Sequence, residues 1–187
     1  KSEHCIHCAL CLKTSPVSET KYENNPEPKC YAVMADDEIR KNSSSGGVFT
    51  LLAEWVLRQG GVVCGAAYSQ DCYSVQQIII TKEEDCHKLR GSKYVQSETG
   101  EIYKRLKAYL DNGTPVLFTG TPCQVAAVKA YLEKPYDRLY TLDLVCHGVP
   151  SPGVNQKFIE EQQKKYGSKA NQVTFRHKQF ARCKHST

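Results

Sequence analysis

Apolar positions recur at helical spacing between Val48 and Arg58. Val48, Leu51, Leu52, Trp55 and Val56 share one face, while Thr50, Glu54 and Arg58 fall off it. Ser43-Ser44-Ser45-Gly46-Gly47 precedes this segment and can cap it, and Gly60-Gly61 stops it. Val62 to Tyr68 and Gln76 to Thr81 then read as strands. A weak helix is expected over Lys82 to Leu89. A clearer one covers Glu101 to Asp111, with Ile102, Leu106, Tyr109 and Leu110 on one face and Asn112-Gly113 ending it. Pro115 to Thr119 and Leu139 to Cys146 are apolar strands. Gln124 to Lys134 and Val154 to Tyr166 are helices, and Gln172 to Lys178 is a final expected strand.

Strands alternating with helices of this length imply crossover connections, which run right-handed and make sheets parallel. The expected fold is therefore α/β, with a mostly parallel or mixed sheet and helices, preceded by a short ferredoxin-like cysteine module. The competing expectation is an α+β domain with some antiparallel pairs. Residues 1–17 hold three cysteines and little that forms a core, and residues 18–29 are polar, with two prolines, as in an extended linker. The alternating pattern begins at Cys30, so the main domain is expected over residues 30–187.

Composition narrows the function classes. The 187 residues are 40% hydrophobic and 24% charged, which suits a folded chain. The net charge of +5 is mild and no Lys/Arg block stands out, so nucleic acid is not an expected partner. The longest apolar run, Gly61 to Tyr68, is far too short for a membrane span, and no secretory signal is visible. A cytoplasmic location is expected. The sequence starts without Met and stops after His185-Ser186-Thr187, so a fragment of a longer chain is also expected.

Ten cysteines in such a background point to metal, cluster or redox chemistry rather than a disulfide scaffold. Cys5-Ile6-His7-Cys8-Ala9-Leu10-Cys11 has the C-x₂-C-x₂-C spacing of bacterial ferredoxins, which continues as x₃-C-P. Ser15, followed by Pro16, stands where the fourth Cys belongs. Three thiolates at this spacing wrap a tight loop around one face of a cubane, with loop amides donating to its sulfurs. Zinc prefers paired C-x₂-C units separated by a longer loop, so a 4Fe-4S cluster on Cys5, Cys8 and Cys11 is the expected occupant. Its fourth ligand is open: an upstream motif, another cysteine such as Cys30, or none in a three-iron cluster.

A second pair of cysteines follows two expected strands. Thr121 suits a helix N-cap and Pro122 the first helical position, which puts Cys123 in the first turn, where the helix dipole favours an anionic sulfur. Cys146-His147-Gly148 follows the next strand. Sites in open α/β sheets form beyond the carboxyl ends of strands, so the two cysteines can face one crevice. Cluster ligands, a redox disulfide, a nucleophilic Cys with His147 as base, and buried inert cysteines all remain open for this pair. Cys64, Cys72, Cys86 and Cys183 have no metal spacing and are expected to be inert.

Two loops are candidates for an anionic cofactor. Ser43 to Gly47 opens a helix, where free amides and the dipole favour negative charge. Arg90 to Ser97 offers a cation, hydroxyls and an aromatic ring. The first signal is weak by itself, because serine-rich caps are common without a ligand, and composition favours a simple solvated connection for the second. No GxGxxG or Walker loop is present.

Taken in order, Cys5-x₂-Cys8-x₂-Cys11, Lys41 to Gly47, Leu89 to Ser97, Phe118 to Gln124 and Asp143 to Pro152 resemble the coenzyme F420 hydrogenase/dehydrogenase beta-subunit family. The resemblance covers nearly the whole chain. Members are iron–sulfur flavoproteins, and it implies an FAD- and 4Fe-4S-dependent oxidoreductase. Electrons would pass between clusters and FAD to a deazaflavin-like or unknown small-molecule acceptor or donor. A redox partner protein or subunit is implied as well. The resemblance puts Ser45, Gly46, Gly47, Gly91, Ser92, Lys93 and Tyr94 near the flavin, with Gly120 and Thr121 beside them. It also makes Cys123 and Cys146 ligands of a cluster. No catalytic acid or base is implied. The alternative is a non-catalytic electron relay or metal-stabilised interaction module.

Overall fold

The computed structural model describes residues 5–9 and 25–175. Cys11, Ser15, Cys183 and most of the expected linker lie outside the described residues. The elements in chain order are α1 (Asp37–Lys41), α2 (Val48–Arg58), β1 (Val62–Tyr68), β2 (Val75–Ile80), a 3₁₀ turn (Glu83–Asp85), α3 (Cys86–Leu89), β3 (Ser97–Glu98), α4 (Ile102–Asp111), β4 (Val116–Gly120), α5 (Pro122–Leu132), β5 (Leu139–Asp143) and α6 (Pro152–Tyr166).

The strands form one five-stranded mixed sheet in the order β3-β2-β1-β4-β5. β1–β4, β4–β5 and β2–β3 pair parallel; β1–β2 pairs antiparallel, with Val63 opposite Ile80 and Tyr68 opposite Val75. The α/β expectation holds, and the antiparallel pair has a local cause. No helix separates β1 from β2. The chain reverses through Ser69–Ser74, where Asp71 Oδ1 accepts from Ser69 Oγ at 2.6 Å and from Tyr73 N at 3.0 Å. Cys72 sits there at φ 64°, the left-handed conformation that the reversal requires.

Alternation along the central strands splits the core into two layers. Val62, Cys64, Val116 and Phe118 pack with Ile102, Leu106 and Leu110 of α4 and Val125, Val128 and Leu132 of α5. Val63, Ala67 and Leu117 face the other way, against Ala53, Val56 and Leu57 of α2 and Cys86 and Leu89 of α3. Burial of each such Val, Leu or Phe contributes on the order of 1.5–3 kcal/mol. The sheet is therefore a covered platform whose strand ends are free to carry loops.

Three differences from the sequence expectations have physical reasons. The bounds of α2 match, but its buried face is Thr50, Ala53, Val56 and Leu57, while Leu51 and Trp55 are exposed. Small Ala53 lets the helix lie close on the sheet. Thr50 is fully buried because its Oγ1 accepts from Arg90 Nε at 3.0 Å, a partner 40 residues away. Trp55 instead rests edge-on against Tyr140 of β5, with centroids 4.8 Å apart. β5 ends at Asp143 rather than Cys146, and Leu144 to Cys146 run on exposed. The final expected strand is not formed over its described part, residues 172–175, and the remainder lies outside the described residues. α1 and the two-residue β3 carry too few positions for a periodic signal.

Candidate functional site

The parallel strands β1, β4 and β5 deliver their carboxyl ends to one side of the sheet. That is where both candidate loops and both strand-end cysteines are found, as expected for an open α/β sheet.

The first loop leads into α2. Gly47 is the N-cap at φ 90°, and a Cβ there would lie 2.9 Å from both Ala35 Cβ and Ile39 Cγ2. Glycine is thus required twice, for the left-handed backbone and for close packing on the Val33–Ala35 segment. Gly46 O accepts from Ala35 N at 2.8 Å and fastens that segment to the loop. The second loop follows α3. Its Ser92 N–H donates to Ser44 Oγ at 3.0 Å, and Arg90 reaches Thr50 as described above. Two loops nearly fifty residues apart in sequence are thereby locked together.

Beside them lies an open basin of about 730 Å³, within the range of small-molecule pockets. The β1–β2 hairpin supplies one side through Ala67, Tyr68, Ser69, Gln70, Cys72, Gln76 and Ile78. Asn42, His87, Lys88, Arg90, Gly91, Ser92 and Lys93 supply another, and Asn171 to Phe175 a third. Among the described residues, four basic side chains line the basin and no carboxylate does, which favours an anion. Lys93 turns its ammonium inward, donating to Leu89 O at 2.9 Å, Arg90 O at 2.8 Å and Gly91 O at 3.3 Å. Burial lowers its pKa to about 8. The Tyr94 ring packs edge-on against Phe175 at 5.2 Å. Ser45 is exposed at the mouth of the first loop.

At the end of β4, Gly120 is buried. A Cβ there would meet Gln124 Oε1 at 2.9 Å. Its absence lets the Gln124 carboxamide fold back and accept from Thr121 N at 3.0 Å in a capping box that starts α5. The same carboxamide donates to Ser97 Oγ of β3 at 2.7 Å, and buried Gln77 reaches that hydroxyl at 3.4 Å. Gly120 and Thr121 thus fix the helix start that presents Cys123, whose sulfur lies 3.0 Å from Thr121 Oγ1.

Gly120 pairs with Asp143 across β4 and β5, and Cys123 and Cys146 each follow these partners by three positions. Both thiols are exposed, so the buried-inert reading does not apply to this pair. Cys146 Sγ accepts from Gly148 N at 3.4 Å. By contrast Cys64, Cys72 and Cys86 are buried. Burial pushes the Cys64 thiol up to about 12 and raises the other two. Cys5 and Cys8 are exposed, and Cys11 lies outside the described residues. Among the described residues no three His, Cys, Asp or Glu side chains converge as a metal site.

Two family descriptions match the chain in succession. Residues 30–104 match the coenzyme F420 hydrogenase/dehydrogenase beta-subunit N-terminal region, and residues 113–186 match the C-terminal region of the same subunit. The chain belongs to this family. Its fold is also similar to a chain in the solved structure of the xenon-derivatised F420-reducing [NiFe] hydrogenase complex from Methanosarcina barkeri. The TM-score is 0.56 at 24% identity, over 71% of this chain and 48% of that one. The chain therefore spans about half the length of that hydrogenase chain.

Several lining residues escaped the sequence reading. Asn42, His87 and Lys88 flank the two loops, and the run His87-Lys88-Leu89-Arg90-Gly91-Ser92-Lys93 is a basic cluster legible in the sequence. The residues contributed by the hairpin and by Asn171–Thr174 had no local signal. No helix among the described residues is long and apolar enough to cross a membrane.

Proposed function

We propose that this chain forms the flavin-binding part of an iron–sulfur flavoprotein oxidoreductase subunit. It exchanges electrons with a partner subunit and serves a deazaflavin-like substrate, in line with its family. The observation that carries this reading is that the 90–93 loop, tied to the 43–47 loop through Ser92 and Ser44, lines a basin at the carboxyl ends of the strands with no carboxylate among its described lining residues. The donor set suits FAD. The Gly91 amide, Ser92 and the basic cluster match a diphosphate, and the apolar and aromatic side chains of Ala67, Ile78, Tyr68 and Phe175 match a flat ring. When bound, FAD supplies the conversion between one-electron and two-electron transfer. The chain's own groups hold and orient it.

The described residues do not complete a cluster site. Cys123 and Cys146 offer two thiols, half of what a cubane takes. Our reading assigns them as part of that ligand set, completed from outside the described residues, and assigns Cys5, Cys8 and Cys11 to a separate cluster.

The test is anaerobic purification and reconstitution of the full-length protein, followed by flavin, iron and sulfide analysis. Flavin released on denaturation, together with iron and sulfide, is expected. Absence of both flavin and iron overturns the proposal. Iron without flavin points to an electron relay, and zinc without iron to a metal-stabilised interaction module.

A further inference from the structure

Lys93 spends its charge on the backbone of its own loop. Its ammonium meets the carbonyls of Leu89, Arg90 and Gly91 within 3.3 Å. In a trans peptide the C=O and the following N–H point in opposite directions. Three carbonyls drawn to Lys93 therefore turn the N–H groups of residues 90, 91 and 92 the other way. Arg90 N–H closes the last turn of α3 on Cys86 O at 3.2 Å, and Ser92 N–H crosses to Ser44 Oγ at 3.0 Å. Gly91 N–H is left turned to the same side, at an exposed glycine with φ 87°.

We infer that Lys93 is a positioning residue: it gathers the loop's carbonyls behind the 90–93 turn so that the turn presents the Gly91 N–H and not C=O to a diphosphate anion. This rests on the flavin reading for the identity of the ligand, but not for the geometry of the clamp. A residue that merely touched the ligand would leave the ligand-free loop unchanged on removal. Lys93 instead shapes the loop before anything binds.

The clamp also predicts opposite pH trends for binding and for stability. Among the described residues, the titratable groups facing the basin beside Lys93 are His87, Lys88, Arg90, Tyr68 and Cys72. Lys88 is paired with Asp85 at 2.5 Å. Burial raises Tyr68 to about 12 and lifts Cys72 above the usual thiol value, so neither ionises as early as Lys93 loses its proton. The Lys93 amine loses its proton near pH 8, well below its value in an unfolded chain. Above that point the amine has one fewer hydrogen for its three carbonyls, so anion affinity falls. The unfolded chain still holds the proton there, so the stability of the ligand-free fold rises.

The experiment uses the full-length protein with FAD and, separately, inorganic pyrophosphate as probes. In Lys93→Met, amide exchange at Ser92 of the ligand-free protein is expected to accelerate about tenfold or more while β4 is unchanged. Affinity for both probes falls by about tenfold. Wild-type affinity falls between pH 7 and 9.5 as Tm rises. Lys93→Arg, which stays protonated, keeps its affinity across that range. His87→Gln retains the wild-type trend, which separates the lysine from the imidazole. Unchanged exchange in Lys93→Met, or FAD binding that ignores pH, overturns the inference while leaving the flavin reading intact. Pyrophosphate binding with the stated trend but no FAD binding supports the clamp and overturns the flavin reading. Binding of neither probe overturns both.

Discussion

The basin and the cysteine end occupy the same side of one sheet, yet they are built to different degrees of completion. At the basin, Ser44 meets Ser92, Thr50 meets Arg90, and Lys93 holds three carbonyls, so the loops are fixed by the chain itself. At the cysteine end, the helix start under Cys123 is held just as firmly by Gln124 and Ser97, but the sulfurs of Cys123 and Cys146 stand exposed. A preorganised pocket binds a ligand without first ordering its own walls, which removes a cost from binding. A pair of thiols gains its order from the metal it holds, because the metal–ligand bonds supply the missing constraints. On the proposed function, the contrast would separate a site shaped before binding from one completed by its occupant.

The largest effect follows from breaking the second site alone. Cys123→Ser and Cys146→Ser, made singly, should each abolish the iron and sulfide bound at this end after reconstitution, since losing one thiolate typically costs most of a site's affinity. FAD content should remain near one per chain, because neither sulfur lines the basin. Iron and flavin analysis on the same samples reads both. Loss of flavin along with iron would mean that the two sites are one.

Gly47→Ala tests how far the basin depends on its own frame. The left-handed backbone and the Cβ approach to Ala35 and Ile39 predict a loss of about 2–3 kcal/mol, measured by chemical denaturation. FAD affinity should fall in parallel, because α1 and the first loop must shift to make room. Iron loading at Cys123 and Cys146 should not change.

How much of this contrast was legible beforehand depends on the range of the contacts involved. The bounds of α2 and β1 follow from local periodicity and glycine stops. The buried face of α2 does not, because Thr50 is buried only through Arg90, and no pattern within residues 48–58 encodes that partner. The 43–47 and 90–97 loops are visible as polar, glycine-bearing segments. Their convergence is not, since it shows only in a long-range contact such as the bond between Ser44 and Ser92. The strand-end placement of Cys123 and Cys146 is readable from alternation, because parallel strands put their carboxyl ends together. The antiparallel β1–β2 pair is hidden because Asp71 and Cys72 build the reversal from side-chain bonds and a positive φ rather than from a glycine–asparagine signature.

Gln124→Ala probes the cysteine end with a smaller loss. It removes the acceptor for Thr121 N–H and the donor to Ser97, both at a buried position, and should cost about 1–3 kcal/mol. The first turn of α5 loosens, so iron retention during dilution should shorten while FAD affinity holds. Equal loss of iron and flavin would show that Ser97 couples the two sites through β3.

Ser44→Ala gives the smallest effect and the most specific one. The hydroxyl accepts one N–H across the seam between the loops, and a single neutral hydrogen bond is worth about 0.5–1.5 kcal/mol. Alanine fits the same backbone, and Ser44 is half-buried, so water can reach the freed Ser92 N–H and global stability should drop by no more than that amount. The consequence for binding is larger than for folding if the seam shapes the basin: FAD affinity should fall about three- to tenfold, with iron loading unchanged. Isothermal titration with FAD, set beside denaturation of the ligand-free protein, gives the two numbers. An affinity loss no greater than the stability loss would mean that the loops meet only to close the fold, and the preorganisation ascribed to the basin would then belong to Lys93 alone.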